Sequence, residues 1–273
     1  MPRRIEWENL GAKGCDKMIG TITILGGCGK SGAPEPVKEI ELKKGNVVSI
    51  VGPTGSGKTR LINDIELFAS GDTPTKRRIL INGNEVSEEI RNNPHNNPIA
   101  LITQHTTFLS DLPVCDFLEL HAKIRQDGES YLIGRTLDLA NQLSGENILL
   151  SYRMTELSGG QTRALLIADA VVIGNSPIIL LDEVENAGIY KERALEILKE
   201  CQKMMVFVTH DPVITLFSDF RIVMRNGAMK KVIKMTEEER AAAEEVKRLD
   251  TVLMGLREKI RSGETIELKE VAA

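Results

Sequence analysis

Short apolar runs alternate with polar and glycine-containing segments through most of this chain. Residues Val47–Val51, 178–181 and 205–208 are short, mainly apolar runs, typical of strands that are buried on both faces. Residues 60–68 follow the first run with apolar side chains at helical spacing, and residues 191–201 form a helical pattern between the other two. Strands that alternate with helices in this way predict an α/β fold with a parallel sheet covered by helices.

Other segments predict two further layers. Residues 19–25, 37–42 and 78–81 are short β-rich runs separated by glycine, proline and asparagine, which indicates an antiparallel layer beside the strand at 47–51. Residues 114–143 are mainly helical in pattern, and another helix follows residue 161. We therefore predict a helical lobe at about residues 112–172 within a domain that spans residues 1–235.

The remaining residues, 236–273, are predicted to form a helical extension and a tail. Thr236 and Glu239 have the spacing of a capping box at the start of a helix that runs to about residue 261. Apolar side chains then recur at alternating steps of four and three, at Ala242, Val246, Leu249, Leu253, Leu256 and Ile260. Such a stripe has to be covered, either by the chain's own domain or by a second copy or partner, and the sequence leaves both possibilities open.

The first motif with a chemical role lies between the strand at 47–51 and the helix at 60–68. Its pattern of glycine, four residues, glycine, lysine and threonine is that of a phosphate-binding loop. Backbone N–H groups at such a helix start face the phosphates, the lysine spans the outer phosphates and the hydroxyl reaches magnesium. The predicted nucleotide contacts are Gly52, Pro53, Thr54, Gly55, Ser56, Gly57, Lys58, Thr59 and Arg60.

Two later strand ends also carry polar residues. Asp182 and Glu183 follow the run at 178–181, at the carboxyl end of a strand, where α/β sheets present ligands. Glu183 is placed to act as a base toward a water molecule. His210 follows the strand at 205–208, although a histidine there would by itself more often be structural.

Composition narrows the classes of partner. The net charge of −4 gives no basic field for nucleic acid, so we expect none to bind. No apolar run approaches the roughly 20 residues that span a bilayer. We expect a cytoplasmic protein that reaches the inner face of a membrane only through a partner. The four cysteines are scattered and lack paired zinc-ligand spacing.

With Gln104 and the segment Leu157-Ser158-Gly159-Gly160-Gln161, these motifs resemble the ATP-binding cassette (ABC) ATPases over about residues 37–225. The resemblance implies a P-loop NTPase fold of ABC type, with a mixed core sheet, an antiparallel β layer, a helical lobe that carries the signature motif, and here a C-terminal helix. It identifies residues 157–161 as the signature segment and Gln104 as the Q-loop glutamine. Asp182 and Glu183 match the Walker B motif, and His210 the switch histidine.

The same resemblance implies the role of each residue. It assigns ATP and Mg²⁺ as cofactors and Gln104, Glu183 and His210 as the catalytic residues. It assigns the metal to Thr59, Gln104 and Asp182. It also implies that Ser158, Gly159, Gly160 and Gln161 contact ATP held by the phosphate loop of another subunit, so that ATP joins two cassettes as a homodimer or with a related cassette.

Two functions fit this assignment. One is the ATP-binding subunit of an ABC transporter, docked on membrane-spanning subunits. The other is an ABC ATPase that remodels or activates a soluble enzyme complex. Three departures from the family pattern bear on the choice: residues 26–30 lack the usual adenine-stacking aromatic, residues 184–190 replace the usual loop after Glu183, and Asp169 stands where arginine is common.

Overall fold

The computed structural model describes residues 19–92, 97–103, 106, 111–126, 130–183, 191–267 and 270. The strands are β1 (Thr21–Leu25), β2 (Glu39–Lys43), β3 (Val47–Val51), β4 (Arg78–Ile81), β5 (Asn84–Glu85), β6 (Ile99–Ile102), β7 (Ile178–Asp182), β8 (Met204–Val208), β9 (Phe220–Arg225) and β10 (Ala228–Lys234). The helices are α1 (Lys58–Glu66), α2 (Glu88–Asn92), α3 (Val114–Gln126), α4 (Tyr131–Leu143), α5 (Gly159–Val172), α6 (Lys191–Glu200), α7 (Pro212–Phe217) and α8 (Glu237–Ser262).

The core sheet has six described strands in the order β10-β9-β3-β8-β7-β6. β3 pairs in parallel with β8 and β9, β7 pairs in parallel with β6 and β8, and β10 returns antiparallel to β9. Successive side chains of these strands alternate between two apolar clusters, as the pleat requires: Ile178 and Leu180 face one cluster, and Ile179 and Leu181 the other. The sheet is therefore covered on both faces, which explains the mainly apolar runs and confirms the mixed core sheet.

The predicted antiparallel layer has four strands in the described part of the chain, in the order β2-β1-β4-β5. Ile24 lies opposite both Ile40 of β2 and Ile79 of β4, and all three side chains are buried. These side chains share an apolar cluster with Leu61 and Ile65 of α1 and with one face of the core sheet. The layer therefore packs against the helix that follows the phosphate loop, residues 52–59.

The helical lobe is built from α3, α4 and α5, with α4 packed along α5. Its interior contains Leu118, Leu132, Leu139, Leu143 and Leu165, and it is continuous with the apolar cluster on the other face of the core sheet. This confirms a helical lobe that carries the signature segment. The exact domain boundaries at 112, 172 and 235 stay predictions.

α8 begins and ends as its sequence predicts. The Thr236 hydroxyl accepts a hydrogen bond from the Glu239 N–H, and Gly263 ends the helix with a φ of 77°. α8 packs against α7, yet none of its residues is buried. The chain's own domain therefore covers only part of the apolar stripe. Among the described residues, no helix combines the length and apolar character that crossing a bilayer requires.

Several element boundaries differ from the predictions by one or two residues. α1 begins at Lys58 rather than at residue 60, and β1 begins at Thr21 rather than at residue 19. No element was predicted for residues 213–235, where the structure has most of α7 and the hairpin of β9 and β10. That hairpin matters for the site, because its turn contacts the phosphate loop.

Candidate nucleotide site

The phosphate loop joins the carboxyl end of β3 to the first turn of α1. Gly52 and Gly57 have φ angles of 151° and 100°, which L side chains rarely adopt. A Cβ on Gly52 would lie 2.4 Å from the Met224 carbonyl oxygen, and one on Gly57 would lie 3.0 Å from the Gly227 Cα. Both positions therefore require glycine, because a neighbouring backbone presses against the loop.

The start of α1 has the properties of an anion site. The helix has Gly57 as its N-cap residue, with no side-chain cap and no acidic residue in the first turn, so the N–H groups there keep their donor capacity. The Ser56 hydroxyl oxygen is buried and has no hydrogen-bond partner among the described residues. Together these groups fit a phosphate, which would accept hydrogen bonds from several donors at once.

Lys58 is folded back over its own loop. Its ammonium donates to the carbonyl oxygen of Gly52 at 2.9 Å and lies 3.4 Å from that of Pro53. It also lies 3.1 Å from Nε2 of His210, which must accept because the ammonium can only donate. The Lys58 side chain is therefore buried and positioned on the loop by three neighbours.

Asp182, Glu183 and His210 lie at the carboxyl ends of two neighbouring strands. Asp182 is the last residue of β7 and pairs with Val208 of β8, and the Glu183 N–H donates to the Val208 carbonyl at 2.9 Å. A Glu183 carboxylate oxygen lies 3.8 Å from Nε2 of His210. The structure therefore brings Lys58, His210 and Glu183 into one cluster at this edge of the sheet.

The backbone fixes two members of this cluster. Glu183 has a φ of 52°, which is uncommon for a residue with a side chain. His210 is held between β8 and α7, because the Asp211 carboxylate caps α7 by accepting from the N–H groups of Val213 and Ile214 at 2.8 and 3.2 Å.

A buried set of charges, which we call the arginine network, lies behind the phosphate loop. Arg77 donates to Glu35 at 3.1 and 2.7 Å and to Asp64 of α1 at 2.9 Å, and the three side chains are almost completely buried. Burial lowers the pKa of Arg77, but its hydrogen bonds and charge interactions with Glu35 and Asp64 outweigh this and raise it. Arg77 therefore keeps its charge.

The arginine network reaches the phosphate loop through the β9–β10 turn. Arg77 donates to the Gly227 carbonyl at 2.9 Å, and the Gly227 N–H donates to the Ser56 carbonyl at 2.8 Å. On the outer side of the loop, the Lys30 ammonium donates to the Gly55 carbonyl at 2.8 Å. None of these supporting contacts was predicted from the sequence. A signal existed for Asp64, a carboxylate on the buried face of an apolar helix, but none for Glu35.

The signature segment lies at the start of α5. The Ser158 hydroxyl accepts from the Gln161 N–H at 3.3 Å, and the Gln161 side-chain oxygen accepts from the Ser158 N–H at 2.9 Å, which forms a capping box. Gln161 also donates to the Asn147 carbonyl at 3.1 Å. These bonds lie within the helical lobe, while Ser158 and Gly159 themselves are exposed.

Most of the other predicted nucleotide contacts in the loop are exposed to solvent. Pro53, Thr54, Gly55, Thr59 and Arg60 are exposed at the surface of the loop and first helical turn, and the Arg60 Nε lies 3.6 Å from the Asp64 carboxylate. Gln104 and the segment 184–190 lie outside the described residues. Thr59 and Asp182 supply hydroxyl and carboxylate oxygens, the ligand type that Mg²⁺ prefers.

Comparisons with known proteins point to one family. A family model described as "ABC transporter" matches residues 38–186. The chain is 48% identical over 254 residues to an uncharacterized ABC transporter ATP-binding protein of Methanocaldococcus jannaschii, covering 93% of this chain and 97% of the relative. It is 32% identical over 202 residues to a spermidine/putrescine import ATP-binding protein of Bacteroides thetaiotaomicron, covering 71% of this chain and 42% of that protein.

Solved structures show the same fold. A dimeric bacterial ABC transporter cassette superposes with a TM-score of 0.60 at 26% identity, over 79% of this chain and 99% of that chain. A dimeric cassette in a post-hydrolysis state, bound to ADP and Pi, gives a TM-score of 0.59 at 24% identity over the same shares. The region matched by the family model contains the phosphate loop, the signature segment, Asp182 and Glu183.

Proposed function

Because the chain belongs to the ABC transporter family of ATP-binding cassettes, we propose that it is the Mg²⁺-dependent ATPase subunit of a transporter and that two cassettes close on ATP. As a member of this family it is an ATP hydrolase. The observation that carries the proposal is the cluster of Lys58, His210 and Glu183 beside the phosphate loop. An ammonium group, an imidazole and a carboxylate, close together at the carboxyl ends of the core strands, support binding and hydrolysis of a nucleotide phosphate.

Phosphate binding falls to the loop itself. N–H groups of residues 54–59, in the loop and at the start of α1, would donate to the phosphates, and Lys58 would exchange its carbonyl partners for phosphate oxygens. Thr59, Gln104 and Asp182 would hold Mg²⁺, which when bound neutralises the charge that develops on the outer phosphates. The exposed position of Thr59 supports this role.

Hydrolysis needs a group that orients water at the outer phosphate. Glu183 is the candidate, because it directly follows β7 and its carboxylate lies 3.8 Å from Nε2 of His210. His210 and Gln104 would contact the outer phosphate beside it. The exposed Ser158 and Gly159, with Gly160 and Gln161, would complete the site of a second cassette, which supports a head-to-tail dimer.

The role of Glu183 is tested with Glu183→Gln. Loss of the carboxylate should lower turnover by about 10²–10⁴-fold while ATP still binds. ATP and Mg²⁺ should then trap a dimer in size-exclusion chromatography with light scattering. Glu88→Gln, on the exposed first turn of α2, is the control and should hydrolyse ATP normally. Normal turnover by Glu183→Gln, or a trapped protein that stays monomeric, would contradict the assignment.

The phosphate role of Lys58 has a matched control in Lys30. Both ammonium groups donate to carbonyl oxygens of the same loop, but Lys58 is buried and Lys30 is exposed. Lys58→Ala should weaken ATP binding on the order of tenfold to a hundredfold, since it removes the charge-assisted bonds to phosphate. Lys30→Ala should bind ATP almost normally. Equal losses in the two variants, measured by calorimetry, would argue against a special role for Lys58.

Base selectivity follows from the segment before the loop. Residues 26–30 contain no aromatic side chain, and stacking on such a ring would add about 1–3 kcal/mol. We therefore expect similar affinities for ATP and GTP in paired titrations. A strong preference for ATP would mean that another residue supplies the adenine contact.

The transporter assignment is tested by partner capture. Tagged protein, purified in parallel from detergent-extracted membranes and from the supernatant, should retain a membrane-spanning subunit in the first fraction. Recovery of a water-soluble enzyme complex instead would favour the alternative role, remodelling or activation of that complex.

A further inference from the structure

The second half of α8 presents an apolar stripe to solvent. Leu249, Leu253 and Ile260 have exposed fractions of 50%, 51% and 62%, and half-buried Leu256 completes the stripe. The steps of four, three and four residues between them keep one face of the helix apolar over about three turns. We call these four residues the exposed stripe.

The domain contacts a different part of α8. Ala243 and Lys247 line a groove together with Leu216 and Phe217 of α7, and Glu239 pairs with Arg221 of β9. These contacts involve the first half of the helix and a face rotated away from the exposed stripe. The helix is therefore anchored at one end and presents leucines at the other.

We propose that the exposed stripe is a docking surface for α8 of a second copy of this chain, and that the two helices run antiparallel.

The charges beside the stripe identify this occupant. Asp250 and Arg257 lie along one flank of the stripe, and Glu245 and Lys259 lie along the other. In an antiparallel pair that crosses near Leu253, each flank meets its own counterpart. Asp250 then faces Arg257 of the second copy, and Glu245 faces Lys259, so both flanks carry opposite charges.

A parallel pair would be disfavoured by the same residues. In a parallel pair, a residue on the Glu245 flank of one helix faces the residue five positions later on the Asp250 flank of the second copy. Glu245 would therefore face Asp250 of the second copy. Two carboxylates would then face each other.

The pattern is complementary to itself, which favours a second copy over an unrelated partner. One helix supplies both signs of charge and the apolar surface, and a two-fold axis satisfies all of them at once. The contact is short and therefore weak. Its consequence, which rests on the proposed function, is that two cassettes stay linked while the ATP site opens, at a raised effective concentration.

The contact is tested without nucleotide, so that an ATP-dependent dimer cannot contribute. Sedimentation velocity in EDTA, across a hundredfold range of protein concentration, should show a reversible dimer of the full chain. Lys58→Ala should give the same dimer. Leu253→Glu should raise the dimer dissociation constant about tenfold or more, since it places a charge at the centre of the apolar contact.

Leu120→Glu is the matched control, because Leu120 on α3 has the same exposed fraction of 51%. It should leave the dissociation constant unchanged, and both variants should melt like the wild type because neither leucine is buried. A wild-type chain that stays monomeric at every concentration would overturn the proposal. So would equal effects of the two leucine substitutions.

Charge reversal tests the orientation. Asp250→Arg and Arg257→Asp should each weaken the dimer, because each places like charges together, and the double variant should recover to within about threefold of wild type. Stronger association of Asp250→Arg would indicate the parallel pair and overturn the antiparallel one. Failure of these tests leaves the ATP-trapped dimer of Glu183→Gln unaffected, so the two conclusions fail separately.

Discussion

The arginine network behind the phosphate loop and the ion pairs along α8 use the same residue types in opposite settings. Arg77 and Glu35 have side chains with no exposed surface, whereas Arg248 and Glu245 are 50% and 60% exposed. Arg77 donates to two carboxylates and a backbone carbonyl, and Glu35 also accepts from the N–H groups of Gly27 and Met229. Arg248 contacts the carboxylate one helical turn before it.

The contrast shows what each kind of charge can do. Buried charges lose their hydration, so they persist only where several partners replace water, and those partners fix the segments that carry them. Exposed charges keep their water, contribute little to folding, and remain able to select the orientation of another helix. One set therefore positions the phosphate loop, and the other is suited to recognition.

The largest effect is expected from breaking the buried set. Arg77→Met should lower the free energy of unfolding by about 3–5 kcal/mol, because it leaves the Glu35 and Asp64 carboxylates buried without their cation. Urea unfolding followed by circular dichroism measures the change. A loss below about 1 kcal/mol would mean that water reaches the carboxylates and that the network is not closed.

Replacing the whole network sharpens this point. Glu35→Leu/Arg77→Met/Asp64→Leu removes the three charges of the arginine network, yet the Gly27 and Met229 N–H groups lose their acceptor. We expect the triple variant to remain less stable than wild type, since orphaned buried donors cost about 1–3 kcal/mol each. Full recovery of stability would show that the two N–H groups find other acceptors.

Asp211 is an intermediate case, a half-buried carboxylate that caps α7. Asp211→Ala should lower the free energy of unfolding by about 1 kcal/mol, because two N–H groups at the start of α7 lose their acceptor. Asp211→Asn, which keeps an acceptor, should recover most of the loss. His210 directly precedes Asp211, so we also expect ATP turnover to fall in the alanine variant. An unchanged rate would show that the cap is not needed to position His210.

The pH dependence probes the charge at the start of α8. The hydrogen bond from Arg221 is the main cause that lowers the pKa of Glu239, with contributions from Thr236 and the Arg221 charge. A lowered folded-state pKa means that the unfolded chain binds protons first, so this stabilisation is present at neutral pH and lost as pH falls below about 5. The urea midpoint of wild type should therefore approach that of Glu239→Gln between about pH 5 and 3. Gln preserves the capping bond to Thr236. A constant difference between the two urea midpoints across that range would contradict the lowered pKa of Glu239.

The smallest effect is expected on the exposed side of α8. Arg248→Met should leave the urea midpoint unchanged within error at moderate salt, because the pair it breaks is hydrated in both states. A clear loss of stability would remove the contrast with Arg77→Met. It would mean that the ion pairs of α8 also stabilise the folded protein.

The sequence predicted elements whose pattern is local. β3 and β4 were predicted at their observed bounds, and the α8 capping box forms as Thr236 and Glu239 indicated. The β9–β10 hairpin was missed, although Asn226-Gly227 is a strong two-residue turn signal. Both residues have positive φ angles, 51° and 78°, as that turn requires.

The supports of the candidate site were not predictable, because they depend on contacts between distant segments. Glu35, Asp64 and Arg77 belong to three parts of the chain that meet only when the antiparallel layer packs on α1. The roles of Glu183, His210, Asp182 and the signature segment stay predictions. For Gln104 the structure adds no position, since the residue lies outside the described part of the chain.

The turn at Asn226-Gly227 also limits how the protein can be engineered. Hairpin tips are usually the places where a chain accepts insertions, reporter peptides or new termini. Here the tip is wedged against Ser56 and Gly57, and even one added Cβ on Gly227 would lie 2.8 Å from the Lys30 side chain. An inserted tag would push directly on the phosphate loop, so a fluorescent reporter belongs elsewhere, for example at the exposed β4–β5 turn around Gly83, where a Cβ meets nothing within 4 Å.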